Sequence, residues 1–166
     1  MTDNLATRPW RSGDLDMLRT SESLFAPQTY PRCFAAGSRR SRPFHMLVSD
    51  QMNASARRWT GQVAVTGDSI VALAECAWDP ADPESPTVRV SVAEDRQGTQ
   101  LGYQVLRELV GHCLSIGLTT FTVDYAASNV TVDSMLQAIA AETGDRYALS
   151  GLTRGGLGHL TVRAAG

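Results

Sequence analysis

The stretch from Thr87 to Tyr125, TVRVSVAEDRQGTQLGYQVLRELVGHCLSIGLTTFTVDY, narrows the fold more than any other part of the chain. Val88, Val90 and Val92 alternate with Arg89 and Ser91, the period of a half-buried strand. Glu94 to Gln100 has no apolar side chain and contains Gly98, so a loop follows. Leu101, Val105, Leu106, Leu109, Val110, Cys113 and Leu114 then recur at helical spacing and form one apolar stripe. Gly117 ends that helix, and Phe121, Val123 and Tyr125 alternate again. A polar loop leading from a strand into a helix N-terminus offers unpaired N–H groups and the positive end of the helix dipole, and so suits a phosphate. An ordinary strand-loop-helix connection would carry the same pattern.

Composition excludes several function classes. The 166 residues are 43% hydrophobic, enough for one domain with a proper core, and the expected organisation is a single domain over 1–166. A formal charge of −2 with interspersed signs gives no electrostatic case for nucleic acid. Arg39, Arg40 and Arg42, with Arg57 and Arg58 further on, read as solvated surface. No window approaches the roughly 18 apolar residues of a membrane span, and the opening MTDNLATRPW lacks a signal-peptide pattern. Cys33, Cys76 and Cys113 lie in apolar patterns and read as buried free thiols of a reducing compartment. A cytoplasmic protein is the expectation. His45, His112 and His159 are scattered without ligand spacing, so no metal is expected.

The remaining elements follow in order. Thr7 to Arg11 is a short strand broken by Pro9, and Asp14 caps a helix bearing Leu15 and Leu18. Phe25, Tyr30, Cys33 and Phe34 have near-helical spacing between Pro27 and Pro31, and Ala35 to Pro43 reads as a loop. Phe44 to Arg58 is a further helical stretch. Trp59–Thr66 and Ser69–Trp78 form a hairpin about Gly67-Asp68. Asp79 to Pro86, with three prolines and the acids Asp79, Asp82 and Glu84, is an exposed connector. After Tyr125, Thr131 or Asp133 caps a helix bearing Val132, Met135, Leu136, Ile139 and Ala140. Tyr147–Leu152 and Leu157–Val162 flank Thr153-Arg154-Gly155-Gly156 as a final hairpin. The expected fold is α/β, a mixed sheet of about seven strands with helices on both faces.

This order, together with the central segment, resembles the GNAT superfamily of acyltransferases over nearly the whole chain. Thr7-Arg8-Pro9-Trp10-Arg11 with Asp14 and Leu18 resembles the family's opening strand and first helix. Glu94 to Leu106 resembles its acyl-CoA pyrophosphate loop, written Q/R-x-x-G-x-G/A, with Gln97, Gly98 and Gly102 fitting. Phe121 to Asn129, followed by Met135-Leu136, resembles the next strand and helix. ESLFAPQTYPRCF is nearest to the lysine-acetylating bacterial type.

The resemblance implies a mostly antiparallel sheet splayed at a central parallel pair, here the strands around Val90 and Val123. It implies acetyl-CoA as acyl donor, held by the backbone of Val90 to Val92 as an added strand would be. The N–H groups of Gln97, Gly98, Thr99, Gln100, Leu101 and Gly102 would take the pyrophosphate, and Asn129 would lie near the thioester. The acceptor it implies is a primary amine on a small molecule or a protein lysine.

Two departures from the pattern bear on chemistry. Gln100 stands where the first motif glycine is expected. A left-handed backbone there would cost about 1–3 kcal/mol. The glutamine side chain would either fill the phosphate's space or donate to it, and this puts acetyl-CoA binding in question. Thr87, Val88 and Arg89 offer no base where many relatives carry a glutamate, which leaves Glu75 on the preceding strand as the candidate. Burial among apolar neighbours would suit a base, whereas an outward-facing carboxylate would be inert. Tyr125 is the candidate acid for the leaving thiolate, with a rim aromatic as its plain alternative. Two functions therefore compete: an N-acetyltransferase, and a degenerate GNAT-like module that senses CoA or binds a protein partner. A homodimer fits either.

Overall fold

The computed structural model describes residues 4–25, 43–96, 99–126, 134, 137, 138, 141, 147–154 and 157–164. Seven strands, β1 (Leu5–Pro9), β2 (Arg58–Thr66), β3 (Ser69–Trp78), β4 (Thr87–Val92), β5 (Thr120–Ala126), β6 (Tyr147–Arg154) and β7 (Leu157–Ala164), form one sheet. Their order across it is β1-β2-β3-β4-β5-β7-β6. Every pairing is antiparallel except β4 with β5. This is the mixed, mostly antiparallel α/β sheet anticipated from the sequence. The region predicted as helical around Tyr30, the Ala35–Pro43 loop and most of the helix after Asp133 lie outside the described residues. Positions 134, 137, 138 and 141 are helical.

Helices cover both faces. α3 (Leu101–Ser115) buries Leu101, Gly102, Val105, Leu106, Leu109, Val110 and Cys113, the stripe read from its sequence. They pack against Ala64, Ala72, Ala74, Cys76, Val88 and Phe121. Full burial of each large member stabilises by about 1.5–3 kcal/mol. The helix stops as predicted. Gly117 takes φ 90°, its N–H reaches Leu114 O at 3.0 Å, and Leu118 N–H reaches Cys113 O at 2.9 Å. That pair of bonds satisfies two end carbonyls and requires a left-handed residue at Gly117.

On the opposite face lie α1 (Asp14–Ser21) and α2 (Phe44–Asn53). Their Leu18, Phe44 and Val48 pack with Val63, Ile70 and Leu73. Ile70 and Leu73 share a face despite odd spacing because the β2–β3 register shifts between Ala64 and Val65. A bulge inserts one residue and so flips the alternation. Ser21 on α1 secures this point, its Oγ accepting from Ile70 N–H at 2.9 Å.

Two local expectations are corrected. Asp14 does not cap α1: Gly13 holds the cap position, and Asp14 instead receives both Arg8 nitrogens at 2.7 and 2.8 Å. The Phe44–Arg58 helix ends at Asn53, because the chain must reverse to enter β2 at Arg58, with Ala56 at φ 65° in the turn. No glycine or proline marks that reversal in the sequence.

Candidate functional site

The sheet opens between its two parallel strands. β4 and β5 are in register at Thr87↔Thr122 and Val88↔Val123, and no further pairing occurs among the described residues although both strands continue. Backbone direction then decides what faces the gap. Thr122 N–H bonds Pro86 O at 2.8 Å toward β5, and Ala93 N–H bonds Val71 O at 2.8 Å toward β3. Backbone groups alternate sides along a strand, so even-numbered residues of β4 point at β5. The N–H and C=O groups of Val90 and Val92 therefore face the opening, where an extended amide-bearing ligand would pair as a strand does.

The α1–α2 side of this region carries buried charge. Arg89 and Ser91 alternate with the valines, where a half-buried strand turns its second face to solvent. The helices cover that face instead, and the two are only 8% and 2% exposed. Glu75 stands opposite Arg89 in the β3–β4 register and is 1% exposed. Trp59 Nε1–H donates to Glu75 Oε1 at 3.2 Å, and Arg89 Nη1 reaches Gln51 Oε1 of α2 at 3.4 Å. Glu75 thus lies in the interior, not on an exposed sheet face. A buried carboxylate is tolerable only with donors and a counter-charge; Trp59 supplies one donor, and Arg89 stands across the strand register. Arg89 lies on β4 itself and so stands between Glu75 and the gap.

The loop at the helix N-terminus is described in part. Glu94–Arg96 forms a 3-10 turn, while Gln97 and Gly98 lie outside the described residues. Thr99 Oγ1 donates to Arg96 O at 2.6 Å, and Gln100 O accepts from Gln104 N–H at 3.0 Å. Gln100 has φ −78° and ψ 10°, so the left-handed conformation that would penalise a non-glycine residue is not required there. Gln100 lines a small open cleft of about 160 Å³ with Leu5, Arg96, Thr99, Leu101 and Gln104. Leu101 and Gly102 are buried against the sheet, so Leu101 offers a ligand only its backbone.

Tyr125 is placed by the main chain of β5, opposite Gly158 of β7 and beyond the last β4 pairing. Asn129 lies outside the described residues. Cys113 is core, as its stripe implied, and faces Cys76. Contact with Cys113 and burial push the Cys76 thiol up, away from any nucleophilic role. His45 Nδ1 lies 3.2 Å from each Glu22 oxygen and ties the start of α2 to the turn after α1. Among the described residues no group of three His, Cys, Asp or Glu is arranged to hold a metal ion. Among them too, no helix is long and apolar enough to cross a membrane.

Trp59, Arg89 and Ser91 were missed from sequence. The available signal was Gly61 two residues after Trp59, which gives a large ring space on its own strand face.

No protein-family model and no curated protein matches the chain. Solved structures do resemble it. The GNAT domain of PAT from S. lividans superposes with a TM-score of 0.70 at 16% identity, over 93% of this chain and 88% of that one. An N-acetyltransferase from Staphylococcus aureus Mu50 gives 0.64 at 14% identity, over 96% of each chain. A GNAT superfamily phosphinothricin acetyltransferase from Sinorhizobium meliloti, in complex with AcCoA, gives 0.63 at 13% identity, over 98% and 89%. The fold of this chain is the GNAT fold.

Proposed function

We propose that this GNAT-fold chain is an N-acyltransferase that moves an acetyl group from acetyl-CoA to a primary amine of a small molecule or a protein lysine. The observation that carries the reading is the opening of β4 from β5 after two paired positions, with the backbone of Val90 and Val92 facing the gap. These donors and acceptors fit the amides of a pantetheine arm, and the AcCoA complex of a structural neighbour supports the same ligand class. Thr99, Gln100 and Leu101 at the start of α3, with Gln97, Gly98 and Gly102, would hold the pyrophosphate by main-chain N–H groups. The backbone of Gln100 meets no conformational obstacle to this. Asn129 would lie near the thioester end.

Acetyl-CoA, when bound, supplies the acyl group as a thioester. Glu75 accepts a proton from the attacking amine, through water or past Arg89, as the new N–C bond forms. Tyr125 returns a proton to the sulfur as the C–S bond breaks. Arg89 holds the counter-charge that keeps the Glu75 carboxylate in the interior. The buried thiols fit a reducing compartment, and we place the enzyme in the cytoplasm as a single domain.

One observation favours a second reading. Glu75 and Arg89 are both buried and opposite one another in the sheet register, which also suits a structural role in a module that binds CoA or a protein partner without turnover. Calorimetric titration with acetyl-CoA and with CoA, followed by an amine screen for CoA release, separates the two. Micromolar acetyl-CoA binding with CoA release supports the enzyme. Binding without release from any amine supports the module, and no binding at millimolar ligand overturns both as CoA-dependent readings.

A further inference from the structure

We propose that Trp59 is a positioning residue for the Glu75 carboxylate, its indole seated by Gly61 and steadied by Trp10. The inference rests on the reading of Glu75 as base and goes beyond it, since it says what aims that base. Trp59 and Gly61 lie two apart on β2 and share the α1–α2 face of the sheet. The ring lies flat across the glycine: a Cβ at Gly61 would be 2.6 Å from its Cη2 and 3.1 and 3.2 Å from Cζ2 and Cζ3. Glycine is thus the residue that lets the ring approach this closely. Trp10 closes the seat from the side, with ring centroids 5.2 Å apart and planes at 78°, the edge-to-face geometry aromatic pairs favour. Trp10 is itself fixed by the sheet, its N–H bonding Gly61 O at 2.9 Å.

Thus held, the indole N–H points one strand across to Glu75 Oε1 at 3.2 Å. Gly61 and Glu75 are register partners, so the ring that covers the one reaches the other without leaving its strand pair. A glutamate has three rotatable bonds, and a proton acceptor that wanders loses rate steeply. A fixed donor on Oε1 holds the carboxylate in one orientation. Among the described residues, the charged group opposite Glu75 in the strand register is Arg89, which reaches neutral Gln51 on α2. Of the titratable groups on the helices of this face, Asp14 is engaged by Arg8, and His45 lies against Glu22. Asp16 on α1 and Asp50 on α2 are exposed to solvent.

Three variants test the proposal on the full chain with acetyl-CoA and an accepted amine. Trp59→Phe keeps an aromatic ring on Gly61 and deletes the donor. Gly61→Ala keeps the donor and displaces the ring, without backbone strain because Gly61 is not at positive φ. Each is expected to lower kcat about tenfold, the worth of one hydrogen bond to a charged group, with acetyl-CoA affinity unchanged. Loss of the donor favours the protonated acid, so the acid limb of the pH–rate profile moves to higher pH. In a Glu75→Gln background neither change should slow the enzyme further. A ring that only fills space would lower thermal stability, leave the pH limb in place and slow both backgrounds alike, and that result overturns the proposal. Should Trp59→Phe fold poorly, Gly61→Ala carries the same test. A slowed Glu75→Gln beside wild-type rates in both other variants sinks the positioning role alone. A Glu75→Gln enzyme as fast as wild type sinks the base, and the positioning role with it.

Discussion

The two faces of the sheet are built from different materials. Under α3 the contacts are alanines, valines, leucines and two thiols, and of the buried polar side chains Gln62 is a strand residue on this side. Under α1 and α2 the same strands carry Glu75 and Arg89, and α1 itself contributes Asp14. All the buried charged residues among those described thus lie on this second side. Burying charge costs several kcal/mol per ion unless partners repay it. An apolar face of equal area would hold the sheet as well. The difference sets an apolar packing face under the body of α3 against a charged α1–α2 side beside the β4–β5 gap.

The sharpest way to break this contrast is Glu75→Gln. If the charged face does chemistry, turnover falls about 10²–10⁴-fold while calorimetric affinity for acetyl-CoA holds. Equal turnover would return Glu75 to a structural role. On the apolar side, Leu106→Ala should cost about 2–5 kcal/mol in a denaturant melt and leave kcat per folded molecule unaltered. A kcat that drops with it would mean that the buried stripe of α3, and not only its N-terminus, bears on turnover.

A smaller effect is expected at Asp14, which tests whether charge on the α1–α2 side also stabilises. Burial pushes its carboxyl up, but the Arg8 guanidinium and the Arg11 N–H outweigh that and hold it below the ordinary 3.8. A depressed carboxyl contributes stability that is present above the unfolded value and lost as pH falls through the folded one. Asp14→Asn should therefore cost about 2 kcal/mol near neutral pH, and the wild-type advantage should vanish in melts taken well below pH 3.8. An advantage that survived acid would assign the effect to shape and not to charge. The smallest expectation is a null effect. Cys76 and Cys113, both fully buried, should stay unlabelled by a thiol reagent until the protein unfolds, as peptide mass spectrometry would read. Fast labelling would mean that the α3 face opens.

Much of the fold was legible because it is written in local periods. The boundaries of β3, the start of β4 and the span of α3 follow from alternation, a polar loop and a terminal glycine. The gap was legible only through the GNAT resemblance, since a parallel register that stops after Val88 has no local signature. The half-buried reading of β4 left the cover over Arg89 and Ser91 unseen, because alternation reports that two faces differ, not that both are covered. At Gln100 sequence raised a backbone objection that geometry removed, for φ is a property of the folded loop and not of the residue type; the side-chain objection is left to the titration.

What the sequence determined by itself was the set of elements, their order, and the class of sheet they can make, because apolar spacing and turn residues act within a few neighbours. What the tertiary structure decided was company. It set Glu75 opposite Arg89, laid Trp59 over Gly61, and turned the main chain of Val90 and Val92 toward the gap. Those placements depend on register between strands far apart in the chain and on a bulge that shifts the alternation within the β2–β3 pair. Register is fixed by packing summed over the whole sheet, so no single stretch encodes it.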